Sequence, residues 1–422
     1  MKTRLLSALM LAALLCTLFI PAFAQAQEPV TLTFAFWGNT DEIAIKEKLA
    51  QMYMDAHPNV KIECTYTDGG QYPTKLQTWF AAGTAPDVMG IANDILSPFR
   101  DEGVFADLAP YMERDGLLTG TWNQRALDVL SDSEGHVYAA PYLYKIPAVV
   151  YNKTMLDEAG IAHPTADWTE EEMVAIATKL TSGSGRSQIY GMNLSGWPYN
   201  LYRNLYGQPV YDTQTRTVHA QDNESFKHAL GLFASMVGEL KVSPDDVVAD
   251  AIGGGFETGK FAMAITAPWE MAAFSKTIGD AFAWDVVPLP RSEQYGHWQG
   301  NLYADGWTMS ASTEHPEEAW DFIKFMTATE EAQALSAPIG VPMLTSYATS
   351  EAYLNDFYGN QPYNKMAFVE MLDYATGWET SGVWGKLNDE IQNQYKLVIS
   401  GKQDVDTAAA NIQKNCEALL AQ

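Results

Sequence analysis

Cysteine is scarce, with three residues in a chain of 422. Cys16 lies in the apolar N-terminal stretch, which leaves Cys64 and Cys416 for the folded protein. So few cysteines exclude a small scaffold held together by several disulfides. Two interpretations of the pair remain open: a disulfide, which an oxidising compartment permits, or two separate buried thiols.

Basic residues are also few: 26 lysines and arginines face 52 aspartates and glutamates, for a formal net charge of −26. A surface this acidic repels nucleic acid and anionic lipid head groups, so we expect neither as a partner. A neutral or cationic partner fits better. Charged residues make up only 18% of the chain and aromatic residues 12%, which indicates a well-buried globular protein.

Motifs for metals, nucleotides and hydrolase nucleophiles are absent or incomplete. The seven histidines are scattered without a His-Glu-x-x-His pair, and no Gly-x-Ser-x-Gly elbow occurs. Gly254–Phe261 (GGFETGKF) begins like a phosphate-binding loop, but Phe261 stands where such a loop needs Ser or Thr. We interpret its glycines as a turn, and we expect no metal and no cofactor.

After the N-terminal stretch, no apolar run approaches the roughly 18 residues that a membrane helix needs. At the N-terminus, a basic start and the apolar stretch Leu5–Ile20 precede AFA at 22–24, a pattern that signal peptidase cleaves. We predict a signal peptide at residues 1–26 and a periplasmic or extracellular protein. Lipoprotein anchoring through Cys16 fits less well, because the two leucines before it are bulkier than such sites usually tolerate.

Strand and helix patterns alternate after the signal peptide. The alternation predicts a mostly parallel sheet with helices on its faces. Ligands of such sheets bind beyond the carboxyl ends of the strands, which places Trp37, Asn39 and Asp94 at a potential mouth. The elements are Val30–Trp37, Asp41–Ala56, Val60–Tyr66, Lys75–Ala82 and Asp87–Ile91, in the order strand, helix, strand, helix, strand.

A second unit follows, because the chain is too long for one comfortable core and the pattern restarts near Tyr138. Pro141 and Pro147 interrupt the β-rich stretch Tyr138–Tyr151, which suggests an edge strand or a crossover. Phe261–Ala267 is a predicted strand that ends at a proline. Since no flexible linker separates the two units, we expect two lobes joined by several strand crossovers.

Tryptophan is the most informative residue type, with twelve in the chain. A flat indole matches the apolar face of a sugar ring, while Asp and Asn take up the hydroxyl hydrogen bonds. Any single tryptophan also fits the core, since this residue is usually highly buried. Those that fall where a strand or loop ends are Trp37, Trp197, Trp269, Trp298, Trp307, Trp378 and Trp384.

Several segments follow one another in a familiar order: GTAPDVMGIAND at 83–94, GHVYAAPYLYKIPAVVYNKTMLDEAGI at 135–161, GKFAMAITAPWEM at 259–271 and ADGWTMSASTEHPEEAWDFIKFMT at 304–327. The chain thereby resembles the bacterial extracellular solute-binding proteins of family 1, the maltose-type receptors of ABC importers. The resemblance implies a two-lobed α/β periplasmic-binding-protein fold, each lobe a mostly parallel sheet flanked by helices. It implies lobes of 27–143 plus 290–343 and of 144–289 plus 344–422, joined by hinge crossovers.

The resemblance also implies ligand-binding residues. Carried over position by position, these are Trp37, Asn39, Asp94, Trp197, Trp269 and Trp384. Lys145 stands where the maltose-type pattern has a glutamate, and Asp305 stands where a small residue is common. Ile91 stands where that pattern has a tryptophan, and these departures put maltose itself in doubt. We count Lys145 and Asp305 among the predicted ligand contacts, and a Lys145 that faces the cleft would suit an acidic sugar or another carboxylate-bearing ligand.

We therefore predict a non-catalytic receptor that captures a carbohydrate between two lobes and delivers it to the membrane permease of an ABC importer. We expect it to be a monomer. One alternative keeps the fold but binds a polyamine or another small cation, since cations also sit on indole faces. The other is a secreted glycosidase, which needs two carboxylates about 5–9.5 Å apart, with Asp94, Glu270 and Asp305 as candidates.

Overall fold

A computed structural model describes residues 29–194, 205–212, 215–356, 363–377 and 384–421. Within these ranges, the side chains at 94, 97, 98, 101, 377 and 384 lie outside the description. The strands are β1 (Val30–Trp37), β2 (Val60–Thr67), β3 (Val88–Ala92), β4 (Ala140–Lys145), β5 (Ala148–Asn152), β6 (Tyr211–Asp212), β7 (Thr217–Val218), β8 (Met263–Thr266), β9 (Trp284–Val287), β10 (Arg291–Ser292), β11 (Gly296–His297), β12 (Gly300–Met309), β13 (Val341–Pro342) and β14 (Ala375–Gly377).

Helices cover both sheets and form the C-terminal end of the described chain. The α-helices are Thr40–Ala56, Tyr72–Ala82, Asn93–Leu96, Ala109–Arg114, Gln124–Val129, Lys153–Glu158, Glu170–Leu180, Glu224–Gly238, Asp246–Ile252, Met271–Ile278, Pro316–Ala328, Glu330–Ser336, Thr345–Ala348, Glu351–Leu354, Met366–Glu370, Trp384–Ile399 and Val405–Leu420. Short 3₁₀ turns lie at Ser97–Glu102, Gly185–Ser187, Phe256–Thr258, Pro268–Glu270, Ala337–Ile339 and Met371–Tyr374.

The larger sheet organises the first lobe. Its order is β13-β4-β12-β3-β1-β2, with β14 beside β12. β1 runs parallel to both β2 and β3, as the alternation of strands and helices predicts. β12 runs antiparallel to both β3 and β4, so the sheet as a whole is mixed. The expectation of a mostly parallel sheet is confirmed for β1 to β3, and β14 is parallel to β12. It fails at β12 beside β3 and β4, because β12 arrives from the other lobe and not through a local strand-helix-strand unit.

The smaller sheet organises the second lobe, in the order β8-β5-β9. β5 is antiparallel to both neighbours, so the expectation of a mostly parallel second sheet is wrong. β8 and β9 are parallel to each other and are joined by the helix Met271–Ile278. β5 lies between them in the opposite direction because it enters directly from the first lobe, which local patterns do not reveal.

Two short crossings join the sheets. β4 ends at Lys145 and β5 begins at Ala148, so the chain changes sheets across Ile146 and Pro147. β9 ends at Val287 in the smaller sheet, and β12 begins at Gly300 in the larger one. After β13 the chain runs to the C-terminal helices, which pack against the helix Glu224–Gly238 of the second lobe.

The core of the first lobe is aromatic. The ring of Phe34 lies 4.9 Å from that of Trp307 and 5.1 Å from that of Phe322. A Cβ at Gly90 would lie 3.0 Å from the Trp37 ring and 3.1 Å from that of Trp307, so a larger residue there would need these rings to shift. Such contacts are tighter than close-packed interiors tolerate without a shift.

The two remaining cysteines are both free thiols, so the disulfide alternative is wrong. Cys64 is half-buried in β2 of the first lobe. Cys416 is buried in the last helix, which packs against the second lobe. Burial raises the pKa of both thiols, which keeps them protonated at neutral pH. Among the described residues, no helix combines the length and the apolar character needed to cross a membrane.

Candidate functional site

The ends of several strands meet the Pro268–Glu270 turn of the second lobe around a cavity of about 440 Å³, here called the cleft cavity. Five of its lining residues are predicted ligand contacts: Trp37, Asn39, Lys145, Trp269 and Asp305. Five others were not predicted: Glu42, Gly69, Ala92, Ile95 and Tyr303. The structure thus brings most of the predicted contacts into one place, and their contact with a ligand stays a prediction.

Strand register explains this convergence. Trp37 ends β1, and Ala92 ends the parallel strand β3 at the same edge of the sheet. Asp305 of β12 lies directly opposite Ala92 because β12 runs antiparallel to β3. On the other side of β12, Tyr303 lies opposite Lys145 at the end of β4. Long-range pairing by β12 therefore creates this wall, which is why Tyr303 carries no local sequence signal.

Lys145 is at the centre of the polar wall. Its Nζ lies 2.8 Å from Asp305 Oδ2 and 3.8 Å from Glu42 Oε1. The same nitrogen lies 5.7 Å from the ring centroid of Trp269, which belongs to the other lobe. The three charged side chains are 11–14% exposed. Lys145 therefore faces the cleft, but its charge is already matched by two carboxylates, which removes the reason to expect an acidic sugar.

Contacts with Tyr72 and Lys46 hold Trp37 in place beside the cavity. It is half-buried, and its ring lies 5.1 Å from that of Tyr72. The buried Lys46 donates a hydrogen bond of 2.6 Å to the Trp37 carbonyl oxygen, and its Nζ lies 5.1 Å from the indole centroid. Burial, followed by the positive charge of Lys145, lowers the pKa of Lys46 to about 8. These contacts fix both the backbone and the ring of Trp37 at the cavity.

Asn39 and Glu42 form a capping box at the start of the helix Thr40–Ala56. Asn39 Oδ1 accepts hydrogen bonds from the backbone nitrogens of Asp41 and Glu42, and Glu42 Oε2 accepts one from the backbone nitrogen of Asn39. The cap uses the amide oxygen of Asn39, and its hydrogen bonds do not involve the amide nitrogen. An Asn-x-x-Glu pattern right after a strand is the sequence signal by which Glu42 could have been found.

Trp269 follows β8, and the neighbouring Glu270 stabilises the turn Pro268–Glu270 that contains it. Glu270 Oε2 accepts hydrogen bonds from Thr266 Oγ1 at 2.7 Å and from the Ala267 backbone nitrogen at 3.3 Å. Burial raises the pKa of Glu270. Its carboxyl group is thus committed to the turn that presents Trp269, and Glu270 is not one of the residues that line the cavity.

Three predicted ligand contacts cannot be placed as side chains. Trp197 lies outside the described residues. Asp94 belongs to the short helix that follows β3, and Trp384 begins the helix Trp384–Ile399, but both side chains lie outside the description. Two other loop-end tryptophans are core residues: Trp307 packs on Phe34, and the buried Trp298 donates to Glu170 at 3.0 Å.

Two lobes around a cleft define a class of protein that binds a solute between its lobes, and comparison with known proteins agrees. The model of the bacterial extracellular solute-binding proteins matches residues 37–333. The chain belongs to that family, as the sequence resemblance indicates. Family members are extracellular, in agreement with the predicted export. Residues 1–28 lie outside the description, so the signal peptide itself stays a prediction.

Individual relatives are distant. An uncharacterised lipoprotein of Streptomyces antibioticus is 28% identical over 77% of this chain and 73% of its own length. The maltotriose-binding protein of Pyrococcus abyssi is 22% identical over 85% of this chain and 77% of its own. These similarities support the family assignment across most of the chain.

Solved structures show the same fold. The ABC substrate-binding protein of Listeria monocytogenes in complex with cycloalternan has a TM-score of 0.77 at 24% identity, covering 93% of this chain and 100% of that one. The sugar-binding protein MalE of Xanthomonas citri has a TM-score of 0.78 at 20% identity, covering 93% and 97%. The predicted two-lobed α/β fold is thereby confirmed.

Proposed function

We propose that this protein captures an uncharged carbohydrate in the cleft cavity and delivers it to the membrane permease of an ABC importer. One observation carries the proposal: the indoles of Trp37 and Trp269, from opposite lobes, line the same cavity around a polar wall in which Lys145 pairs with Asp305 and Glu42. Indole faces suit the apolar faces of sugar rings, and the wall offers donors and acceptors to hydroxyl groups. Relatives named for maltotriose and cycloalternan binding support this class of ligand.

The ion pairs of the wall, more than its formal charge of −1, favour a neutral ligand. An acidic sugar would have to compete with Asp305 for Lys145 and would face the carboxylate of Glu42. A polyamine would meet two carboxylates that already share the Lys145 ammonium group. A sugar hydroxyl both donates and accepts, so it can join this network without breaking an ion pair.

Closure of the two lobes would complete the site. We propose hinges at the crossing Ile146–Pro147, at the passage from β9 to β12, and near 340–345. We place the second boundary near Gly300 rather than at residue 290, because Arg291 and Gln299 still bond to Trp168 and Leu205 of the second lobe. A ligand held by residues of both lobes favours the closed state by its greater affinity for it.

Calorimetric titration tests the proposal directly. The panel is maltotriose, mannobiose, glucuronic acid, glucosamine and spermidine, followed by chromatography of each mixture for cleavage products. We expect saturable binding of a neutral sugar without products. Saturable binding of spermidine or glucuronic acid instead, or release of cleaved sugar with turnover, would contradict the proposal.

The variant Trp269→Ala locates the site. Loss of a stacked aromatic ring should weaken sugar binding by about 1–3 kcal/mol. Tyr66→Ala is the matched control, since it removes a ring that is 48% exposed and lies outside the cavity. An unchanged affinity in folded Trp269→Ala protein would remove Trp269 from the site.

A further inference from the structure

A second cavity of about 490 Å³ lies on the second lobe, here called the distal pocket. Three segments line it: the loop carrying Arg186, Gln188 and Tyr190, the helix Asp246–Ile252, and the glycine-rich turn with Lys260. That turn is the one that begins like a phosphate-binding loop. Because it precedes β8 whereas Trp269 follows β8, the distal pocket and the cleft cavity lie at opposite ends of this strand.

Hydrogen bonds within the protein join the walls of the distal pocket to each other. The Tyr190 backbone nitrogen donates to the Lys260 carbonyl oxygen at 2.9 Å, and the Ala262 nitrogen donates to the Tyr190 oxygen at 2.9 Å. Lys260 Nζ donates to the carbonyl oxygen of Arg186 at 2.9 Å. The two cationic residues are therefore held side by side by hydrogen bonds that join the turn to the loop. Pre-formed walls of this kind lower the entropic cost of binding.

The charge of the distal pocket is opposite to that of the chain. Arg186 and Lys260 are among its lining residues, and no carboxylate is. Among the residues that the structure describes, neither cation forms an ion pair. In a chain with a net charge of −26, an unneutralised pair of cations creates a local positive potential that attracts anions.

The remaining wall is apolar. Val248, Ala251 and Ile252 line one side of the pocket, and Tyr190 lines another. Val248 is 39% exposed, which is unusual for a large apolar residue in this protein. Covering such surface with an apolar group removes it from water, which favours binding. An inorganic anion without an apolar part would pair with the two cations but leave this apolar wall exposed to water.

We propose that the distal pocket binds a small organic anion, with its acidic group at Arg186 and Lys260 and its apolar body against Val248 and Ile252. The volume lies in the range of small-molecule sites, about 300–1,000 Å³. The ligand class differs from that of the cleft cavity, where Lys145 is paired with carboxylates and the indoles suit sugar rings. The proposal is independent of the function proposed for the cleft.

Fluorescence titration with 8-anilinonaphthalene-1-sulfonate, an aromatic sulfonate, tests this site in the full mature chain. We expect one saturable site per chain, competed by decanoate and not by equal concentrations of inorganic phosphate. Arg186→Gln should weaken binding about tenfold, the scale of one lost charge-assisted contact, and Val248→Asp at least as much. Lys276→Gln is the matched control, since it removes an exposed lysine elsewhere on the same lobe.

Three results would overturn the proposal. The first is a folded Arg186→Gln protein that binds the sulfonate as tightly as the wild type. The second is competition by inorganic phosphate as strong as that by decanoate, which would show that the apolar wall is not used. The third is loss of sulfonate binding in Trp269→Ala, which would place the probe in the cleft cavity.

Discussion

At the scale of single residues, Lys145 decides the charge of the cleft cavity. It is the one cation that touches both Asp305 and Glu42 in the described part of the cavity wall. Sequence comparison with the maltose-type pattern flags Lys145 and Asp305 as departures, and the 2.8 Å contact between them shows that the two departures compensate each other. This pair adds no net charge to the wall, and Lys145 supplies a donor that a glutamate cannot.

Removal of this cation should change the preferred ligand class. In Lys145→Met, the carboxylates of Asp305 and Glu42 lose their counter-ion, so we expect weaker binding of a neutral sugar and new binding of spermidine. The effect on the sugar should be about 1–3 kcal/mol, as for a lost charge-assisted hydrogen bond. Calorimetry of both ligands measures it, with Lys276→Met as the control. A variant that keeps the wild-type preference would show that Lys145 does not set ligand charge.

Lys46 leads to a second residue-scale prediction, on pH. Its pKa falls from 10.5 to about 8 in the folded protein, chiefly through burial. The unfolded chain therefore binds more protons between about pH 8 and pH 10.5, and this group makes the free energy of unfolding rise with pH across that window. The contribution amounts to at most about 3 kcal/mol.

The measurement is urea unfolding at pH 7.5 and pH 10 of wild type and Lys46→Met. Subtracting the two proteins isolates Lys46 from the other groups that titrate in this range. We expect the free energy of unfolding of wild type, minus that of Lys46→Met, to increase with pH. The same difference for the exposed control Lys276→Met should not change with pH. Equal pH dependence in wild type and Lys46→Met would mean that Lys46 is not desolvated.

At the scale of elements, Glu170 fastens the helix Glu170–Leu180 to its surroundings. Its carboxylate lies 2.7 Å from His228 Nε2 and accepts hydrogen bonds from Tyr206 at 2.6 Å and Trp298 at 3.0 Å. Burial alone would raise the pKa of Glu170, but the bonds from His228, Tyr206 and Trp298 together lower it to about 2. One side chain thus ties together the helix Glu224–Gly238, the segment before β12 and its own helix.

This network predicts acid-dependent loosening of the second lobe. Because the pKa of Glu170 is depressed by folding, its contribution to stability is complete above about pH 4.5 and is lost as pH falls towards 2. We expect Glu170→Gln to lose up to about 3 kcal/mol at pH 7 and to be less sensitive than wild type between pH 5 and 3. Glu171→Gln, on the exposed face of the same helix, is the control. Thermal unfolding that is unchanged in Glu170→Gln would exclude this role.

Local patterns predict the first elements of the chain but not how the strands of the sheets pair. The helix starting after Asn39 and the strands β1 to β3 follow from short-range signals. The position of β12 between β3 and β4, and of β5 between β8 and β9, depends on partners more than 100 residues away. Tyr303 was missed for the same reason, since only the folded sheet brings it beside Lys145, whereas Glu42 carried a local signal in its capping box with Asn39.

At the scale of the whole molecule, we expect the two lobes to close around the ligand by a hinge motion. Trp37, Lys145 and Asp305 belong to the larger sheet, whereas Trp269 follows β8 of the smaller one. A sugar that contacts both indoles therefore links bodies that are otherwise joined by a few crossings. Ligand binding should shift the population towards the closed form by the difference in affinity between the two forms.

Small-angle X-ray scattering tests this closure. We expect the radius of gyration of the mature chain to fall when the sugar selected by calorimetry is added at saturation. Trp269→Ala, loaded to the same occupancy with more sugar, should close less, because the second lobe has lost its contact with the ligand. Arg186→Gln, altered only in the distal pocket, should close like wild type. An unchanged radius of gyration in saturated wild type would show that capture does not require closure, and would restrict the hinge crossings to a structural role.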